Sequence, residues 1–89
     1  MNFIQYPLNH RDAGTAVEVT LQGVESDVFL VDTINFSSFK RRARYTRYGG
    51  HTRKSPVTLV VPRSGTWTAV VVPGPGGRVT ATFRVLANA

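Results

Sequence analysis

The chain has 89 residues, no cysteine and a formal net charge of +6. At this length about 64% of the extended surface is buried on folding, which allows one domain with a modest core and no second one. The lack of cysteine excludes disulfides, a thiolate nucleophile and thiolate metal ligands, and fits a reducing compartment.

The first residues, Met-Asn-Phe-Ile-Gln-Tyr-Pro, have no basic region followed by an apolar stretch, so no signal peptide is read. Residues 2–6 can add a strand. Val17, Val19 and Leu21 alternate with Ala16, Glu18 and Thr20 between Gly14 and Gly23. This period of two predicts a strand with one wet face. Residues 28–31 (Val-Phe-Leu-Val), 57–61 (Val-Thr-Leu-Val-Val) and 66–72 (Thr-Trp-Thr-Ala-Val-Val-Val) are short apolar runs rich in β-branched residues. They predict more central strands, and Trp67 reads as core. Phe36 and Phe39 stand three apart, with Asp32, Thr33 or Asn35 able to cap, so one helical turn is expected near residues 33–40. Val79, Ala81, Phe83 and Val85 alternate with Arg78, Thr80, Thr82 and Arg84, giving a final half-buried strand. Pro62-Arg63-Ser64-Gly65 and Pro73-Gly74-Pro75-Gly76-Gly77 read as turns joining the last three strands into an antiparallel meander. The expected fold is all-β: a single domain over residues 1–89, an antiparallel sandwich or partly open barrel of six to seven strands. No apolar run approaches the ~20 residues that span a bilayer, so a soluble, cytoplasmic chain with no membrane partner is expected.

Charge is unevenly laid out. Asp12, Glu18, Glu25, Asp27 and Asp32 are the only acids, Arg11 is the only base among residues 1–32, and that segment nets −4. Residues 33–89 hold ten bases and no acid. Seven of the ten, Lys40, Arg41, Arg42, Arg44, Arg47, Arg53 and Lys54, fall within residues 40–54. Such a concentration points to an anionic partner or to an acidic surface on the same molecule. Tyr45 and Tyr48 interleave with the bases, and Gly49-Gly50-His51 follows. Arginine forks suit phosphates, tyrosine faces suit stacking, and a Gly-Gly pair can offer backbone N–H groups to an anion. Residues 41, 42, 44, 45, 47–51, 53 and 54 are therefore the candidate ligand-binding set, for a nucleotide-derived signal or nucleic acid. The plainer reading is a solvated basic hairpin whose tyrosines pack on the sheet.

Enzyme readings find little support. His10-Arg11-Asp12 matches the tripeptide of a kinase catalytic loop without any Gly-rich loop or room for that fold. His10 and His51 lie 41 residues apart with no metal-ligand spacing. The acids read as salt-bridge partners, and Asn35-Phe36-Ser37 matches a glycosylation sequon with no secretion signal to give it meaning. No catalytic residue, metal or cofactor is assigned. Two other readings stay open: self-association through the opposite charge blocks, and a sugar-binding module argued from the small β fold alone.

Met1-Asn2-Phe3-Ile4-Gln5-Tyr6, Gly14 with Val17-Glu18-Val19, Asn35-Phe36, Arg47-Tyr48-Gly49-Gly50-His51, Ser55-Pro56-Val57, and Val61-Pro62 with Gly65 and Trp67 together resemble an uncharacterised bacterial family. It consists of small all-β domains of unknown function, some standing alone and some N-terminal to a TIR domain. The resemblance spans nearly the whole chain. It implies an all-β domain, carries over no catalytic residue, and suggests a sensor or assembly device for a TIR-type effector in bacterial defence or signalling. The chain is expected to be either a complete protein or the N-terminal domain of a longer one.

Overall fold

The computed structural model describes residues 2–86; Met1 and residues 87–89, included in the single-domain reading, lie outside the described residues. In chain order the elements are β1 (Ile4–Arg11), β2 (Ala16–Gly23), β3 (Ser26–Asp32), α1 (Thr33–Lys40), β4 (Tyr48–Thr52), β5 (Val57–Val60), β6 (Gly65–Pro73) and β7 (Val79–Leu86). They build two antiparallel sheets, β1-β6-β3-β4 and β5-β2-β7, which face each other without closing into a barrel. The all-β sandwich with a short helix is as expected. No helix among the described residues is long and apolar enough to cross a membrane.

The hydrophobic patterns follow from which faces are covered. β2 and β7 are wet on one side, so Val17 and Val19 point inward and Thr20 outward, while Thr80, Thr82 and Arg84 are exposed. β3 and β6 are covered on both faces and lose the alternation. Val28, Leu30, Trp67, Ala69 and Val71 join Leu8, Val17, Val19, Leu59 and Val61 in the core between the sheets. Phe29, Val31 and Val70 point the other way and form a second core with Phe39 of α1, lined by Phe3, Phe36, Tyr45 and Val72. Trp67 is 1% exposed, as its place in an apolar run predicts.

Three sequence expectations are corrected. The last three strands are not a meander: β5 and β7 flank β2 in one sheet, and β6 lies in the other. Both Pro/Gly turns carry the chain from sheet to sheet. The 57–61 run is likewise an edge strand, β5, rather than a central one. The helix is also longer than one turn, with eight residues from Thr33 to Lys40. Asp32, in extended conformation, caps it by accepting a 2.8 Å bond from the Asn35 N–H. Past the C-cap Arg41, Arg42 adopts φ 61° and Ala43 N–H closes on the Ser38 carbonyl at 2.9 Å. A left-handed residue at this place ends a helix, though glycine is the usual occupant.

Candidate anion-binding surface

The basic segment runs from the end of α1, through a loop, along the edge strand β4 and into the next turn. The structure divides it into two groups. The first is Lys40, Arg41, Arg42 and Arg44, all exposed, around the C-terminal end of α1. Unpaired carbonyls at a helix C-terminus carry partial negative charge, which favours cations there. The Lys40 ammonium lies 4.4 Å from the Phe36 ring centroid, and Arg41 makes a long 3.5 Å contact to Ser38 Oγ. Among the described residues none of the four forms an ion pair. The loop behind them is pinned by Asn35. Its N–H and Nδ2 donate to Asp32 Oδ1 at 2.8 and 2.9 Å, and its Oδ1 accepts the Thr46 N–H at 2.8 Å. The sequon asparagine is thus bonded at both ends of its amide.

The second group is Arg47, His51 and Arg53, and it is neutralised from within. The β3–β4 register sets Asp27 opposite His51. His51 Nδ1 lies 3.3 Å from Asp27 Oδ1 and its Nε2 3.2 Å from Glu25 Oε1. Arg47 sits 3.5 Å from Asp27 Oδ2 and 5.1 Å above the Phe29 ring, and Arg53 Nε reaches Glu25 Oε2 at 2.8 Å. Lys54 is exposed in the turn that follows, its N–H bonded to Thr52 Oγ1 at 3.0 Å, just before a cis Ser55–Pro56 bond.

The aromatic and glycine members of the predicted set hold up the fold. Tyr45 packs in the second core, 5.3 Å from Phe39 and 6.0 Å from Phe29 between ring centroids. Tyr48 stands edge-on to Trp67 at 5.6 Å. Gly49 has φ 130°, and a Cβ there would lie 2.4 Å from the Val28 carbonyl oxygen, so the close approach of β4 to β3 requires glycine. Gly49 and Gly50 pair with Phe29 and Val28. Successive N–H groups of a strand point to opposite sides, so the pair does not form a nest of neighbouring donors.

A further cluster was outside the sequence prediction. Arg63, in the β5–β6 turn, donates to Asp32 Oδ2 and, at 3.2 Å, to the Tyr48 hydroxyl, and its guanidinium lies 5.0 Å from the Trp67 ring centroid. Trp67 Nε1–H donates back to the Arg63 carbonyl at 2.9 Å. Burial pushes the Asp32 carboxyl up, but the bonds from Asn35 and the Arg63 charge outweigh it and hold the group below the usual carboxylate range. Beside this cluster is an open cleft of about 300 Å³ bordered by Thr33, Ile34, Gly65 and Thr66. The only sequence signal for it was that Asp32 is the last acid before a long acid-free stretch. His10 and His51 lie on the opposite edge strands of the four-stranded sheet, and no three His, Asp or Glu side chains among the described residues are grouped to hold a metal.

No curated protein and no solved structure matches the chain. The family model described as a domain of unknown function, DUF1883, matches residues 1–87. With nearly its whole length matched, the chain belongs to the DUF1883 family.

Proposed function

We propose that this domain is a non-enzymatic binding module for a phosphate-bearing anion, a nucleotide-derived signal or a nucleic acid, with the cations around the end of α1 as its contact surface. The observation that carries this is the contrast within residues 40–54. Arg47, His51 and Arg53 face carboxylates, whereas Lys40, Arg41, Arg42 and Arg44 are exposed with no ion pair among the described residues. Lys54 extends the surface, and the paired group adds to it once a stronger anion competes with Glu25 and Asp27. Tyr45 and Tyr48 are engaged in packing, so recognition rests on phosphate charge and discriminates weakly between bases. The resemblance to domains preceding TIR modules makes a sensor for a bacterial defence or signalling effector the natural setting.

The test is fluorescence anisotropy with labelled oligonucleotides and cyclic nucleotides at two salt concentrations. Binding that weakens steeply with salt is expected. A flat signal across the panel at low salt overturns the reading.

A further inference from the structure

The outermost strands of a sheet leave half of their backbone donors and acceptors unpaired, and natural sheets guard such edges with proline, bulges, charges or short strands. Three of the four edges here are guarded. β1 carries Pro7 and a bulge where the register skips Leu8, with Asn9 at φ 60°. β4 has five residues, the strained Gly49, and charged neighbours on both sides. β5 has four residues and lies between Pro56 and Pro62.

β7 has no proline, no bulge and no short span. It is eight residues long, contains no Pro, Gly or acid, and pairs with β2 without a break from Leu86↔Ala16 to Val79↔Gly23. Its one charge, Arg84, is held by Glu18 at 3.2 Å. The direction of its free backbone groups follows from one bond. Val24 N–H donates to the Arg78 carbonyl at 3.1 Å, so by antiparallel alternation Thr80, Thr82 and Arg84 bond to β2. Val79, Ala81, Phe83 and Val85 then present their N–H and C=O groups to the open side. Among the described residues no strand pairs there. Tyr6, 39% exposed, stacks on Phe83 at 4.8 Å and leaves an apolar ring beside the same edge.

We propose that this edge is an interface with a second copy of the chain, β7 pairing antiparallel with β7 about a twofold axis into one six-stranded sheet. A second copy fits because the edge is complementary to itself. The register that satisfies all four open residues sets Thr82 opposite Thr82, Arg84 opposite Thr80 and Arg78 opposite Leu86. No like charges stand directly opposite each other, the diagonal approach of Arg84 to the second copy's Arg78 is eased by Glu18 on Arg84, and facing threonines form a favourable cross-strand pair. The location also keeps the positive segments of a +6 chain apart. The Tyr6–Phe83 stack places β7 over β1, whereas β4 is the opposite edge of that sheet and α1 packs on its outer face against β3 and β6.

Sedimentation velocity on the full chain over a concentration series tests this. A dimer is expected. Ala81→Pro removes an N–H that no intrachain bond uses, and should leave circular dichroism intact while abolishing the dimer. Thr82→Lys and Thr82→Glu each place like charges opposite one another and should weaken dimerisation roughly fivefold, and mixing the two variants should restore it. A wild-type chain that stays monomeric throughout, or a dimer untouched by both Ala81→Pro and Thr82→Lys, overturns the proposal.

Discussion

Residues 40–44 carry four cations, and residues 47–53 carry two arginines and a histidine. The first group surrounds a helix end with no ion pair among the described residues, while the second faces Glu25 and Asp27 across a strand pair. Similar composition thus yields two different surfaces. A base that already has a carboxylate neighbour must give it up before it can serve a ligand, and exposed pairs of this kind contribute only about 0–1 kcal/mol to stability. The second group is a reserve of positive charge with its counter-ions built in, and the first is free to act at once. The difference can be broken or sharpened by experiment.

The largest effect is expected from reversing the free group. Arg41→Glu with Arg42→Glu should weaken anion binding more than tenfold and lower the slope of log affinity against log salt by about one per lost phosphate contact. Arg53→Glu, in the paired group, should cost far less in the same titration. Next comes Asn35→Ala, which changes no charge but removes the amide that joins the helix cap to the loop at Thr46. A loss of about 1–2 kcal/mol in chemical denaturation is expected, together with weaker binding as the loop loosens. Replacing Glu25 by Gln and Asp27 by Asn releases Arg47, His51 and Arg53. Affinity should rise several-fold while the melting temperature moves little, and unchanged affinity would show that the second group never meets the ligand.

The smallest effect concerns acid. The Asp32 carboxyl is held below its ordinary range in the folded state. Its contribution is therefore present above the unfolded value of about 3.9 and is lost as pH falls through the lower folded value. Asp32→Asn keeps a capping oxygen and should flatten the loss of stability below about pH 4, as followed by circular dichroism.

Much of the fold was legible because pattern reports burial. The period of two at Val17–Leu21 and Val79–Val85 marks strands with one wet face, and the unbroken runs at 28–31 and 66–72 mark strands covered twice. Strand order was not legible. Proline and glycine at 62–65 and 73–77 say where the chain turns, not which sheet receives the next strand. The 57–61 run reads like the 66–72 run, yet the first becomes the edge strand β5 and the second the doubly covered β6. The candidate surface was legible as charge alone. Which acids fold back onto which bases depends on the Asp27–His51 register, set by long-range pairing that no local motif announces. Arg63 is unmarked in the sequence for the same reason, since Asp32 and Tyr48 reach it only in three dimensions.

The double burial of β3 and β6 also sets how the molecule opens. Their amides sit between two cores and should exchange with solvent only through global unfolding, whereas α1 rests on the smaller core and can lift away locally. The free cations ride on that part, where the amides of Arg41, Arg42 and Ala43 close the helix end. A bound anion should therefore appear in deuterium uptake as slower exchange across residues 37–43, with the two inner strands unchanged.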